Sequence, residues 1–304
     1  MPIVGCVFSV VRTSLHDGPG VRTVVYMKGC NMHCAWCHNP EGFSPEPQIM
    51  LYRQRCIDCG RCMLICPEHH LLVDGVHDHL QDGCIGCGKC VDACPSSALK
   101  LCGSFYTPDA LMKIIEKDIH YYQKSGGGIT FSGGECLLQE EFLVEILKRC
   151  HEVGIHTLIE TALHVPWKNV QLVLEYTDAF YVDLKLMDAA QHKKYTGCTN
   201  TVILKNLKAL SEVHKDIIVR IPMIPCVNDD MQNLAETCEF ASKLDGVRGV
   251  MLLRYNPMAE SKYIRAKCEY TSFGTETQSI QQMKAFCDEL NGKLSKSGFV
   301  FCKD

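Results

Sequence analysis

The 304-residue sequence has no long hydrophobic run and no excess of basic residues. Residues 1–13 contain neither a positively charged start nor an apolar segment long enough for a signal peptide or a membrane span. The 31 Lys and Arg residues are outnumbered by 35 Asp and Glu residues, which gives a formal net charge of −4. General affinity for nucleic acid or for an anionic membrane is therefore not expected. We expect a cytoplasmic protein.

Cysteine, in contrast, is abundant, with 21 residues. Small secreted domains form many disulfides because they lack a core, but a chain of this length that is 46% hydrophobic buries a core without them. In a reducing cytoplasm, dense cysteines indicate metal binding. Three groups of closely spaced cysteines carry this signal. The cysteines that stand singly are interpreted as buried small hydrophobic residues.

Strand-like and helix-like segments alternate through most of the chain, which predicts an α/β fold. Strands are predicted at residues 21–28, 129–132, 155–159, 179–184, 217–221 and 250–255. Helices are predicted at residues 107–124, 140–153, 200–213, 231–244 and 277–294. About six strand–helix units predict a partial (β/α)6 TIM-like barrel with its site at the carboxyl ends of the strands. We expect residues 1–52 and 103–304 to form this barrel and residues 53–102 to form an inserted domain.

The predicted insert contains one cysteine spacing twice. Residues 56–67 read C-x2-C-x2-C-x3-C-P, and residues 84–95 repeat that pattern in full. Bacterial ferredoxins with two [4Fe–4S] clusters have this pattern, and the fourth cysteine of each run binds the other run's cluster. The pattern predicts one cluster on Cys56, Cys59, Cys62 and Cys94, and another on Cys66, Cys84, Cys87 and Cys90.

A pair of structural zinc sites is the alternative for the insert, although zinc ribbons usually use paired C-x2-C motifs. The histidines between the two runs could suggest another metal, and we interpret them as solvated loop residues. They are His69, His70, His77 and His79.

A third cysteine group has the spacing C-x3-C-x2-C. Cys30, Cys34 and Cys37 directly follow the first predicted strand. Three thiolates bind only three irons of a cubane, so the fourth iron keeps an open position, as catalytic metal sites do. The alternatives are a three-ligand zinc site and a chance grouping.

With an aromatic residue before its third cysteine, this group resembles the signature of radical S-adenosylmethionine (SAM) enzymes. The surrounding sequence resembles the glycyl-radical-enzyme activating enzymes within that superfamily. The matching blocks are residues 17–22 (DGPGVR), 28–30 (KGC), 36–42 (WCHNPEG), 130–135 (TFSGGE), 183–185 (DLK), 220–222 (RIP) and 260–263 (ESKY). The resemblance covers nearly the whole chain and includes the ferredoxin-like insert, which one branch of the family carries.

The resemblance implies a reaction and its cofactors. The open iron binds the amino and carboxylate groups of SAM, and an electron from the reduced cluster cleaves a sulfur–carbon bond. The resulting 5′-deoxyadenosyl radical removes a Cα hydrogen from one glycine of a partner glycyl radical enzyme. The two insert clusters would relay electrons from a flavodoxin or a ferredoxin. The alternative functions are a radical SAM enzyme that acts on a small molecule and a multi-cluster electron carrier, which leaves the open-iron trio unexplained.

The resemblance also implies roles for individual residues. The expected SAM contacts are Trp36, Cys37, His38, Gly133, Gly134, Glu135, Asp183, Leu184, Lys185, Arg220 and Asn256. Asp183 and Lys185 lie two residues apart at a strand end and therefore point to one face. Lys185 and the three cysteines are expected to be catalytic, together with Asp17, which lies in a loop facing the incoming glycine loop. A monovalent cation is expected near Glu160.

Three positions depart from the family pattern. Asn256 stands where the family usually has His, and it can form hydrogen bonds but does not titrate. Cys136 and Cys226 stand where Pro or Ala and Gly are common, and they are candidates to approach the site.

Overall fold

A nine-stranded sheet forms the core of the computed structural model, which describes residues 2–302. The strands are β1 (Gly5–Ser14), β2 (Arg22–Met27), β3 (Gln48–Leu51), β4 (His70–Val73), β5 (Val76–His79), β6 (Leu99–Cys102), β7 (Ser104–Tyr106), β8 (Gly128–Gly133), β9 (His156–Thr161), β10 (Ala179–Asp183), β11 (Ile217–Pro222), β12 (Val247–Leu253) and β13 (Val300–Cys302). The α-helices are α1 (Arg61–Ile65), α2 (Lys89–Asp92), α3 (Pro108–Ile115), α4 (Ile119–Ser125), α5 (Glu140–Glu152), α6 (Trp167–Val173), α7 (Ala189–Thr196), α8 (Thr201–Val213), α9 (Met231–Ser242), α10 (Glu260–Ala266) and α11 (Ile280–Leu294).

The order of the large sheet is β13-β12-β11-β10-β9-β8-β2-β1-β7. Strands β2 and β8 to β13 are each parallel to their neighbours among these seven strands. Strand β1 is antiparallel to both of its neighbours, β2 and β7. All six predicted strands are confirmed as β2 and β8 to β12, and they are consecutive in the sheet. Strands β1, β7 and β13 of this sheet, and strands β3 to β6 outside it, are not among the predicted strands.

The parallel strands present alternate residues to a hydrophobic layer and to a polar interior. In β11, Ile217, Val219 and Ile221 are buried in the main core, while Arg220 points to the other side of the sheet. Helices α3, α5, α6, α8, α9 and α11 contribute buried residues to the apolar side. The polar side of the sheet is therefore left free to line a cavity.

Helix boundaries follow the expected capping chemistry. The Thr107 side chain accepts a hydrogen bond from the backbone N–H of Ala110, and Pro108 occupies the first turn of α3. The predicted helix at residues 107–124 is divided, because residues 116–118 form one tighter turn between α3 and α4. Asp118 at this turn is buried and accepts hydrogen bonds from Arg12 and Thr23. Within residues 2–302, no helix is both long enough and apolar enough to cross a membrane.

The segment between β3 and β6 is built as a repeat. Strands β3 and β6 pair antiparallel and form its stem, and β4 and β5 form a separate hairpin. Each cysteine run includes a short helix that starts after a glycine in the left-handed region, Gly60 before α1 and Gly88 before α2. Asp58 and Gly86, at matching positions of the two runs, also have positive φ. The duplicated sequence therefore produces a duplicated backbone.

Candidate functional site

A cavity of about 280 Å³ lies at the carboxyl ends of the parallel strands. Its walls include most of the predicted SAM and cluster residues: Cys30, Cys34, Trp36, Cys37, His38, Gly133, Gly134, Glu135, Asp183, Lys185, Arg220 and Asn256. The Leu184 side chain is instead fully buried in the hydrophobic core, because it points to the face opposite Asp183 and Lys185. Asp17 lies in an adjoining groove.

The loop that follows β2 presents three thiols to this cavity. Cys30, Cys34 and Cys37 all line it, and within residues 2–302 no fourth thiol does. Burial raises the pKa of the Cys30 thiol to about 12 and that of the Cys34 thiol to about 11. These groups stay protonated until a metal ion displaces the protons. Three cysteines around one cavity fit a metal centre with an open position.

Helix α10 holds this loop from the side. Lys262 Nζ donates hydrogen bonds to the carbonyl of His38 (2.8 Å) and to Oδ1 of Asn39 (3.0 Å). The hydroxyl of Tyr263 lies 3.4 Å from the carbonyl of Cys34, to which it donates. Both residues belong to the block at residues 260–263, and their role in holding the cysteine loop is not visible in the sequence.

Four charged side chains form a connected network on the cavity wall. Arg220 Nε donates to Asp183 Oδ1 (2.8 Å), and Arg220 Nη1 donates to Glu160 Oε1 (2.5 Å). Lys185 Nζ lies 3.2 Å from Asp183 Oδ2, which confirms that residues 183 and 185 share a face, and Ser132 Oγ donates to Glu160 Oε2 (2.7 Å). Burial opposes ionisation of Asp183, but the charges of Arg220 and Lys185 hold its pKa below the ordinary value. Burial raises the pKa of Glu160, and Arg220 partly offsets this effect.

Gly133 and Gly134 are required by the close approach of two backbone segments. Gly133 has a φ of +112°, and a Cβ there would lie 2.4 Å from the Met27 nitrogen. A Cβ on Gly134 would lie 2.2 Å from the Gly29 carbonyl oxygen. The amide of Glu135 donates to that same carbonyl at 2.8 Å. The two glycines therefore seat the end of β8 directly against the chain that leads into Cys30.

Glu135 is held by the protein itself. Its carboxylate accepts hydrogen bonds from the Thr161 hydroxyl at 2.8 Å and from the Ala162 amide at 3.0 Å. Burial raises its pKa. Glu135, which is one of the predicted SAM contacts, therefore also links the end of β8 to the end of β9 through its carboxylate.

Trp36, His38 and Asn256 also line the cavity, and further aromatic rings pack against Trp36. The rings of Tyr195 and Phe273 both lie 6.0 Å from the Trp36 ring, measured between centroids. Burial lowers the pKa of His38, although a hydrogen bond from its ring to Asn256 opposes the shift. Asn256 thus interacts directly with a predicted SAM-binding residue.

A groove of about 610 Å³ adjoins the cavity and lies between the strands and the stem of the insert. The two spaces share His38, Asn39, Ser132 and Glu160. Asp17 lines the groove and accepts a hydrogen bond from the Ser14 hydroxyl. Tyr52, Lys100 and Cys102 of the stem region line it as well. A flexible peptide in this groove would reach the cavity.

The insert brings its cysteines together in the two predicted sets. Cys56, Cys59, Cys62 and Cys94 all line one cavity of about 200 Å³. The other set surrounds Cys90, whose thiol pKa is raised to about 11 by burial and by the neighbouring thiols of Cys84, Cys66 and Cys87. Each set therefore contains one cysteine from the other run.

Two interpretations of single residues need correction. His70, His77 and His79 are at most 4% exposed and are not solvated loop residues, since they face the interior of the insert; His69 is half-buried. Cys226 is exposed and has a φ of +60°, so it is not a buried hydrophobic residue.

The remaining single cysteines have varied environments. Cys6, Cys136, Cys150, Cys238 and Cys287 are buried, as expected, whereas Cys102, Cys198, Cys268 and Cys302 are partly exposed. Cys136 packs in the main core, and neither it nor Cys226 lines the cavity.

A partial parallel barrel that carries a C-x3-C-x2-C loop at the carboxyl ends of its strands defines the radical SAM class of enzymes. The sequence matches the family described as "4Fe-4S single cluster domain" over residues 16–204. The crystal structure of Streptococcus suis SuiB bound to precursor peptide SuiA matches with a TM-score of 0.58 and 11% identity, covering 95% of this chain and 49% of that chain. This likeness concerns the fold, and it confirms the predicted partial barrel.

Two curated relatives narrow the class. The (2S)-3-sulfopropanediol dehydratase activating enzyme of Klebsiella oxytoca is 44% identical over 85% of this chain and 84% of its own length. The trans-4-hydroxy-L-proline dehydratase activating enzyme of Clostridioides difficile is 39% identical over 96% of this chain and 97% of its own. The chain belongs to the glycyl-radical-enzyme activating enzymes. Its activity is the reductive cleavage of SAM and the generation of a glycyl radical on a partner enzyme.

Proposed function

We propose that the chain binds three [4Fe–4S] clusters and uses the strand-end cavity as its SAM site. The observation that carries this proposal is that Cys30, Cys34 and Cys37 share one cavity with the Asp183–Lys185 pair. Three thiols without a fourth fit a cluster with an open iron, and the two four-thiol sets of the insert fit closed clusters. When bound and reduced, the open cluster supplies the electron that cleaves SAM.

The charges of the cavity suit a zwitterionic ligand. Lys185 and Arg220 are matched by Asp183 and Glu160, so the network has no large net charge. Lys185 uses one N–H on Asp183 and can offer another to a ligand carboxylate. Arg220 holds Asp183 in place and acts on the ligand through this positioning. A monovalent cation near Glu160 would have to share that carboxylate with Arg220 and Ser132.

Residues 53–102 are proposed as an electron-relay domain. Cys59 and Cys87, one from each run, are exposed. Gly86 packs so closely on Pro47 that a Cβ would lie 2.4 Å from the Pro47 carbonyl. The second run therefore adjoins the stem that joins the barrel, and we place the set containing Cys87 between the set containing Cys59 and the SAM site. A flavodoxin or a ferredoxin is the proposed donor.

The groove at Asp17 is the proposed path of the partner's glycine loop. It opens next to the insert and joins the cavity at Ser132 and Glu160. A glycine Cα is suited to hydrogen removal because no side chain shields it. Because the relatives at 44% and 39% identity are both dehydratase activating enzymes, a glycyl radical dehydratase is the first partner to test.

One experiment tests these assignments. The protein is reconstituted with iron and sulfide without oxygen, reduced with dithionite and mixed with SAM and a purified glycyl radical dehydratase. We expect a glycyl doublet in the electron paramagnetic resonance spectrum and an equivalent amount of 5′-deoxyadenosine. SAM cleavage that yields no protein radical on any glycyl radical dehydratase would overturn the proposed partner class. Absence of SAM cleavage would overturn the proposed SAM site.

A further inference from the structure

The hairpin of β4 and β5 places three imidazoles on one face. Its register pairs His70 with His79 and Leu72 with His77, so these four side chains point to the same side. A turn at residues 74–75, where both residues have positive φ, fixes this register. The three histidines are 2%, 4% and 2% exposed. The hairpin therefore covers the cysteine runs with a layer of imidazole rings.

Two imidazoles contact cysteines of the two sets: His77 of this face, and His69, which immediately precedes the hairpin. His77 Nε2 lies 3.3 Å from Cys62 Sγ, and its Nδ1 lies 3.6 Å from Cys56 Sγ. His69 Nδ1 lies 3.3 Å from Cys66 Sγ. Cys56 and Cys62 belong to one proposed cluster, and Cys66 belongs to the other. Each cluster thus has an imidazole next to a sulfur ligand.

In either tautomer, the N–H of His77 points to a cysteine of the same four-cysteine set. A neutral imidazole carries one N–H, on Nδ1 or on Nε2. With the proton on Nδ1, His77 donates to Cys56 and can accept from His70, whose Nδ1 lies 3.0 Å from His77 Nε2. With the proton on Nε2, it faces Cys62. Both sulfurs belong to the same four-cysteine set, so the N–H reaches that set in both cases.

The surrounding ring nitrogens support a role beyond packing. Nε2 of His70 and both ring nitrogens of His79 are buried without a hydrogen-bond partner among the described residues. Unpaired buried polar groups are costly, and an apolar hairpin of the same shape would avoid that cost. Packing alone therefore does not account for the layer of imidazoles.

We propose that the imidazoles of His77 and His69 donate N–H···S hydrogen bonds to the cysteine ligands of the two insert clusters and thereby raise their reduction potentials. The role rests on the cluster assignment proposed above. Reduction adds negative charge to a cluster, and an N–H dipole that points at its sulfur stabilises the reduced form more than the oxidised form. Hydrogen bonds to sulfur are one of the protein's means of setting such potentials.

The test is a potentiometric titration of the full chain, monitored by electron paramagnetic resonance. Cys30→Ala, Cys34→Ala and Cys37→Ala together remove the SAM cluster, so that the parent for this experiment contains only the insert clusters. In that parent, His77→Phe is expected to lower the equilibrium constant for reduction of one cluster at least tenfold. For a one-electron couple this lowers the reduction potential by about 59 mV. His69→Phe is expected to lower that of the other cluster. His77→Gln, which restores an N–H donor, should recover most of the loss.

The matched control is His120→Phe, because His120 is exposed on α4. It should leave both potentials unchanged. If both His77→Phe and His69→Phe keep their full iron content and show unchanged potentials, the proposal is overturned. Loss of iron from both variants would also overturn it, because the role of the rings would then be to retain the clusters. If one variant alone loses iron, the potential of the other decides. A parent without two cubane signals would instead refute the cluster assignment itself.

Discussion

Replacing Gly134 by alanine tests how the cysteine loop is positioned. Gly134 has no positive φ, so the change adds no backbone strain of that kind and acts through the new Cβ alone. That atom would lie 2.2 Å from the Gly29 carbonyl oxygen and 2.8 Å from the Gly42 carbonyl oxygen, and both are backbone atoms that cannot rotate away. To reach ordinary contact at 3.4 Å, the end of β8 and the chain before Cys30 must separate by roughly 1 Å.

A displacement of this size has a predictable consequence. A misplacement of about 1 Å in a reacting group costs about 100-fold in rate, or roughly 2.7 kcal/mol of barrier. We therefore expect Gly134→Ala to slow SAM cleavage about 100-fold. The atoms nearest to the new Cβ belong to Gly29 and Gly42, outside the insert, so the insert should keep its iron.

The assay is the initial rate of 5′-deoxyadenosine formation with dithionite as reductant, alongside iron analysis. Gly292→Ala is the matched control, because Gly292 lies in α11 without positive φ and a Cβ there meets nothing within 4 Å. It should retain the parent rate and add slight stability. If Gly134→Ala forms 5′-deoxyadenosine at a rate within a few-fold of the parent, backbone contact at Gly134 does not position the cysteine loop.

Three further predictions concern the cysteines and the charge network. Cys30→Ala should abolish SAM cleavage while the insert keeps its iron, as measured by product and iron analysis; residual cleavage would contradict the open-cluster assignment. Cys87→Ala should lower the iron content and slow flavodoxin-driven turnover more than dithionite-driven turnover, and equal slowing would contradict the relay. Arg220→Met should destabilise the apo-protein by about 3–5 kcal/mol at pH 8, because it leaves Asp183 and Glu160 buried without a guanidinium. Without Arg220 the pKa values of both carboxyl groups rise, so these groups take up protons as the pH falls and the loss of stability should become smaller. Urea unfolding at pH 8 and pH 5.5 measures the loss of stability, and a loss that is independent of pH would refute the charge argument.

The sequence predicted those parts of the site that depend on local spacing. Asp183 and Lys185 pair because residues two apart at a strand end share a face. The three cysteines share a cavity because they lie within eight residues of one loop, Cys30 to Cys37. The Arg220–Glu160 contact joins two strands that are separated by β10, so no spacing along the chain could show it. Strands β7 and β13 have three residues each, too few for a period to be visible.

Two misses had signals in the sequence. β1 contains a run rich in β-branched and aromatic residues at positions 7–13, which is typical of a strand. Asp74-Gly75 is a typical two-residue hairpin turn, and the register that it implies places His70, His77 and His79 on one face. That this face is buried depends on the packing of the insert, which the pattern does not contain.

The duplicated runs show why a motif does not determine its own chemistry. Both have the same spacing and the same left-handed positions, so their cysteines are presented in the same way. Their neighbours differ, because Gly86 of the second run packs on Pro47 near the barrel, while Cys56 and Cys62 of the first run face His77. Two sites with equal ligands but unequal distance from the barrel and unequal hydrogen bonding cannot be electronically equivalent. This inequality, which comes from the surroundings and not from the repeat, is what would let the two proposed clusters serve as successive steps of the proposed electron relay.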